Sequence, residues 1–143
     1  MPTLIIETLI HARAEYCFEL LRDERIQPQL RPAVFGDVGI GQKVTFKSTQ
    51  FGIEQQLTVE VVECDPPWRL VDEMTEGKFR SFRHIHEFKP HDTGTLMRDT
   101  LIWESPFGIL GWIVDKLLLK QRLQKLVKTR NAKLKAIAES QNS

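Results

Sequence analysis

Two hydrophobic periods divide this chain, and the place where one gives way to the other is what most limits its fold. From Lys43 to Glu104, apolar residues recur at every second position in short runs separated by turn residues. Such alternation marks strands with one buried face. Beyond "SPFG" (105–108), Leu119, Leu123, Leu126, Arg130, Leu134 and Ile137 follow a spacing of three or four. That spacing is one face of a helix, and the pattern persists for about 30 residues, well above the usual helix length. Strands grouped together and followed by a long helix make an α+β architecture.

Ahead of the alternating block, "TLIIETLI" (3–10) reads as a first strand. "RAEYCFELLRD" then aligns Ala14, Cys17, Phe18 and Leu21 on one helical face. Pro28, Pro32, Gly36, Gly39 and Gly41 make residues 24–42 a loop. The strands that follow are 43–49, 53–64, 68–74, 79–89 and 95–104. Phe51-Gly52, "DPP" (65–67), "EGK" (76–78) and "PHDTG" (90–94) turn the chain between them. The order is strand, helix and loop, a meander of five antiparallel strands, then the long helix, whose first third "ILGWIVDKLLL" is apolar nearly all round. A curved meander can wrap such a helix and leave a cavity where side chains do not fill the space between them.

The chain has 143 residues, enough for one domain with its own core. Its net charge of +1 singles out no class of partner, and nothing points to DNA. The charge is unevenly spread. From Gly108 onward there are eight basic and two acidic residues, a net of +6, against −5 for the twelve basic and seventeen acidic residues before it. This is either a solvated helix face or a contact surface for anionic membrane or RNA. Cys17 and Cys64 lie far apart with no motif around them, as two reduced thiols would in a cytoplasmic protein. Glu7 interrupts the first apolar run and no basic lead-in precedes it, so no signal peptide is expected, and no run is long enough for a transmembrane segment.

The stretch "FRHIHEF" raises the chemical question. Phe82, His84, His86 and Phe88 fall on one side of a strand, with Arg83 and Glu87 on the other. In an antiparallel hairpin around "PHDTG", that side is shared with Met97, Asp99, Leu101 and Trp103. The expected register sets His84 opposite Asp99 and His86 opposite Met97. Four readings compete: a satisfied polar pair in a core, recognition of a ligand, acid–base chemistry by a His–Asp pair, and a metal held by both histidines with Asp99. No nucleophile signature supports the third, since Ser48, Ser81 and Ser105 have no evident base. His-x-His on a strand is common without metal, so no metal or other cofactor is expected.

Other features are blander. Trp68, Trp103 and Trp112 are expected to pack in the core or line a pocket. "VGIGQ" (38–42) contains Gly-x-Gly, but no helix follows and no phosphate loop is implied. His11 and His91 fall at element ends and are expected to face solvent.

The element order is that of the helix-grip fold. "GKFRSFRHIHEF", "GTLMRDTLIWESPFGILGW" and "KLVKTRNAKLKAIAE" resemble the polyketide cyclase/START-like (SRPBCC) ligand-binding superfamily, and within it a small bacterial group. The resemblance spans essentially the whole chain. It implies a curved antiparallel sheet wrapped round the C-terminal helix; this sequence shows about six strands where larger members have seven, a departure that implies a smaller or more open cavity. The group also occurs fused to nucleotide-sugar-epimerase-like domains, which implies such a protein as a partner. The superfamily holds lipid carriers, cyclases and hormone receptors, so fold alone does not give function.

The reading is of a protein that binds or carries a small hydrophobic or amphipathic molecule between the concave sheet and the helix. Phe46, Leu57, Val59, Phe82, Phe88, Met97, Leu101, Trp103 and Trp112 would supply apolar walls, and His84, His86 and Asp99 the polar anchors. The alternatives are a cyclase-like enzyme using the histidines, or an interaction module using the basic helix against protein, membrane or ribosome. The apolar start of the helix would also suit a homodimer contact.

Overall fold

The structure is a computed structural model that describes residues 2–21, 40–50, 53–104 and 119–141. The elements are β1 (Thr3–Ile10), α1 (Ala14–Leu20), β2 (Lys43–Gln50), β3 (Ile53–Asp65), β4 (Arg69–Glu76), β5 (Ser81–His91), β6 (Gly94–Glu104) and α2 (Lys120–Gln141). All six strands join one sheet in the order β1-β6-β5-β4-β3-β2. Every pairing is antiparallel. Strands β2 to β6 are the expected meander, and β1 closes beside β6. Helix α2 packs across β1 and against α1. This α+β arrangement is the helix-grip fold.

Alternation decides which face is covered. Leu4, Ile6 and Ile10 of β1 are buried while Thr3, Ile5 and Leu9 are exposed. In β6 every second residue from Thr95 to Trp103 is buried. A bulge between Val61 and Glu63 reverses the parity of β3, so Cys64 joins Val61 against the same core. The outward side carries ion pairs from Arg83 to Glu73 at 2.8 Å and from Arg98 to Glu7 at 3.0 Å. These are half exposed and add little stability.

Two expectations need correction. The β5–β6 hairpin is tighter than "PHDTG" implied: only Asp92 and Thr93 separate the paired His91 and Gly94. Asp92 takes the left-handed conformation (φ 49°) that such a turn demands. His86 is therefore opposite Asp99, and His84 is opposite Leu101. The displacement is two residues, which leaves every side chain on its expected face. In α2 the buried stripe is Val127, Asn131, Leu134 and Ala138, while Leu126 is 57% exposed. A polar Asn at a core position hides that stripe from a count of leucines. Of the two places expected for Trp68, core or pocket lining, the second holds: Trp68 lines an open crevice. It follows Pro66-Pro67 at the β3–β4 turn and is 43% exposed. The Phe51-Gly52 turn, "SPFG", Trp112, the apolar first third of the C-terminal helix and most of the 24–42 loop lie outside the described residues.

The buried residues form two groups. One gathers α1 and the far end of α2: Ile10, Cys17, Phe18, Leu20, Leu70, Phe88, Met97, Leu134 and Ala138. Here the rings of Phe18 and Phe88 meet edge to face at 5.9 Å. The other gathers Leu4, Ile6, Phe82, Leu101, Trp103 and Val127, with Leu57, Met74, Phe79, Leu119 and Leu123 half-buried against it.

Candidate functional site

Between these two groups β1, β4, β5, β6 and α2 each contribute something polar. On the covered face, Thr8 lies between Ile6 and Ile10, Asp72 between Leu70 and Met74, and Asp99 between Met97 and Leu101. On β5 the two histidines lie between Phe82 and Phe88, and on α2 Arg130 and Asn131 lie between Val127 and Leu134. The period of two in the strands and of 3.6 in the helix thus brings them into one polar belt across the concave face.

Asp99 is its centre and is fully buried. Arg130 Nη2 donates to its Oδ1 at 2.6 Å, and His84 Nε2 lies 2.8 Å from the same oxygen. Asn131 Nδ2 donates to Oδ2 at 2.7 Å and reaches Thr8 Oγ1 at 3.3 Å. The arrangement is diagonal. His84 reaches across to Asp99 rather than its own partner Leu101, and His86 Nε2 reaches Asp72 Oδ2 at 3.0 Å. The two imidazoles stack with ring centres 3.8 Å apart. His86 Nδ1 lies 3.3 Å from Asp99 Oδ1 but is poorly aligned, and it makes no hydrogen bond among the described residues. The same holds for the buried Trp103 Nε1.

The charges follow from these contacts. Burial pushes the Asp99 carboxyl up, but Arg130, the bond from His84 and the nearby His86 outweigh it and hold Asp99 well below the usual value. Burial and the neighbouring His86 push His84 down to about 4 against the pull of Asp99. Burial also works against a charged His86, yet its contacts with Asp72 and Asp99 prevail and its pKa is raised. Arg130 thus neutralises Asp99, the contacts with Asp72 and Asp99 favour the charged form of His86, and His84 stays neutral.

Metal-ligating atoms of His84, His86 and Asp99 lie within 4.8 Å of one another. An ion there would have to displace Arg130, whose guanidinium already neutralises Asp99. Acid–base chemistry has a His–Asp pair at hand; Ser81 is exposed, while the Ser48 side chain and Ser105 lie outside the described residues.

Of the expected wall residues, Val59, Phe82, Leu101 and Trp103 are buried, and Phe46 and Leu57 are half-buried. Phe88 and Met97 pack in the group against α1, on the other side of the belt. A separate open crevice of about 450 Å³ lies at the β3–β4 turn, lined by Asp65, Trp68, Arg69, Glu87, Phe88, Lys89 and Pro90. It involves no residue of the belt.

Sequence reading missed Asp72, Arg130, Asn131 and Thr8 as members of this site. The signal for Asp72 was present, since it alternates with Leu70 and Met74. Asn131 had one too, four residues from Val127 and three from Leu134.

No protein-family model matches this sequence, and a search of curated proteins gives no match. Solved structures do match. TTHA0849 from Thermus thermophilus is 23% identical, with a TM-score of 0.74 over 96% of this chain and 99% of its own. A protein of unknown function from Staphylococcus aureus, SA2116, is 16% identical, with a TM-score of 0.73 over 99% of this chain and 95% of its own. The di-domain aromatase/cyclase StfQ of the steffimycin biosynthetic pathway is 15% identical, with a TM-score of 0.73 over 98% of this chain and 52% of its own. The chain shares the helix-grip fold with all three. No helix among the described residues is long and apolar enough to cross a membrane.

Proposed function

We propose that this protein binds a small, mainly apolar molecule between the concave sheet and α2, at the end of the fold where side chains of β3 and β4 gather with those at the start of that helix. The observation that carries the reading is a half-buried apolar wall beside a polar belt. Leu57, Met74, Phe79, Leu119 and Leu123 pack against the group that holds the fully buried Leu101 and Trp103 without themselves being fully covered. The rings of Phe79 and Phe82 meet at a tilt of 40° with centres 5.1 Å apart, and His84 follows Phe82 on the same face. An apolar surface with few convergent polar groups is the usual make-up of a small-molecule site. A polyketide aromatase/cyclase of the same fold supports the choice of an organic ligand. The role is carriage or sensing rather than turnover, because among the described residues Asp99 is tied to Arg130, Asn131 and His84 and no nucleophile joins them.

Native mass spectrometry of protein purified without detergent tests this. A stoichiometric adduct that extracts into organic solvent is expected. A bare protein mass, together with no calorimetric binding of naphthalene-sized aromatic probes, would overturn it.

A further inference from the structure

Resting on that reading, we propose that the site selects a ligand carrying an uncharged hydrogen-bond donor, such as a phenolic or enolic hydroxyl, because the polar edge that His84 offers it is a bare acceptor nitrogen. The argument starts at Asp99. A buried carboxylate held by Arg130 and Asn131 can only accept hydrogen bonds, so His84 Nε2, 2.8 Å away, carries the proton they share. Nδ1 is then the position that takes up or lacks a second proton.

Everything packed against the ring argues that it lacks one. His86 stacks on it at 3.8 Å from the same strand. His86 holds its own proton, since Nε2 faces Asp72 and Nδ1 stands 3.3 Å from Asp99 Oδ1, where two lone pairs would repel. Asp72 on β4 and Asp99 on β6 are already balanced by His86 and by Arg130 on α2. A second imidazolium would be a net buried cation beside two others. The downward shift of His84 to about 4 agrees.

His84 Nδ1 has no partner among the described residues, and the side chain keeps 12% of its surface exposed. A hydrocarbon covering this nitrogen would strip its water and return nothing. A carboxylate or ketone oxygen would oppose it with another lone pair. A hydroxyl satisfies it, and a site built to pair with a hydroxyl rejects the analogue lacking one.

Matched probes read this directly. By calorimetry at neutral pH, 2-naphthol should bind roughly three- to tenfold tighter than 2-methoxynaphthalene, the range one neutral hydrogen bond gives. 2-Naphthoate should bind more weakly than either. In His84→Phe the preference for naphthol over its ether should vanish. Nitrogen-15 NMR of the wild-type protein supplies a readout that no variant can confuse: His84 Nε2 should be protonated and Nδ1 bare, with Nδ1 shifting on addition of 2-naphthol. Equal affinity for naphthol and its ether, a preference that survives in His84→Phe, or a protonated Nδ1 at neutral pH would overturn donor selection and leave the apolar site standing. Binding of none of the three probes would overturn both.

Discussion

At the scale of the residue, Asp99 sets the state of its neighbours. Removing it alone, as Asp99→Leu, leaves the largely covered Arg130 without its counter-charge and should cost about 3 kcal/mol in urea denaturation. Asp99→Leu with Arg130→Leu should recover much of that loss, because an apolar pair replaces an ion pair at little cost. The two histidines should differ. His86 is almost fully buried and bonded to Asp72, so His86→Ala should cost about 2 kcal/mol, while the partly exposed His84→Ala should cost less than about 1 kcal/mol. They should also answer pH oppositely. His84 falls from 6.5 in the unfolded chain to about 4, so its contribution is present above 6.5 and is lost as pH drops toward 4. His86 is raised above 6.5, so its contribution is present below that value and is lost as pH rises through its folded pKa. Asp99 adds stability that disappears only at still lower pH, as its depressed folded pKa is reached. Unfolding midpoints of His84→Phe should therefore change less than those of the wild type between pH 6.5 and about 4.

At the scale of the element, the β5–β6 hairpin shows what a sequence reveals and what it hides. Alternation made both strands and their shared face legible, because burial of one face constrains every second residue. Register was not legible, since a displacement of two residues leaves that alternation unchanged and only turn length separates the two cases. The decisive feature was Asp92, an L-residue able to adopt positive φ, which lets two residues close the turn and returns Pro90 and His91 to the strand. Pro90 is tolerated there because β4 stops pairing with β5 at Glu87. Helix α2 hid its inner face differently. Asn131 breaks the apolar stripe at the position that ties the helix to Asp99 and Thr8, so the residue central to the site was the one that obscured it. The start of β6 allows a prediction at this scale. A Cβ on Gly94 would collide with the Ile10 carbonyl oxygen and stand 3.0 Å from the His11 Cα. Both obstacles are backbone, where the chain leaving β1 crosses β6. Gly94→Ala should lower stability by about 1–3 kcal/mol in urea titrations while leaving ligand affinity of the folded fraction unchanged.

At the scale of the whole molecule, the polar belt divides the core into two unequal parts. The half holding α1 is the more fully covered: Cys17, Phe88, Met97, Leu134 and Ala138 are buried, and only Tyr16, Cys64 and Ile137 among the described residues pack against it half-covered. The half holding Trp103 is finished by side chains that remain half-covered. Part of the positive charge of the C-terminal segment ties α2 to the sheet, with Arg130 on the buried Asp99 and Lys135 Nζ donating at the surface to the Leu9 carbonyl at 2.6 Å. Both anchor α2 at or beyond the belt, toward the more fully covered half, and neither holds its start. Local opening takes least free energy where apolar contacts are fewest. Amide hydrogen exchange should therefore be faster for β2, the β3–β2 pairing and the first turns of α2 than for β1, β6 and the last turns of α2. A ligand that fills the half-covered end binds the closed form alone and slows exchange there by the factor its concentration over Kd sets. Saturating 2-naphthol should raise protection around Leu57, Met74 and Leu123 and leave Met97 and Leu134 unchanged. Protection gained instead around Phe18 and Leu134 would move the binding site to the far side of the belt and take His84 out of contact with the ligand.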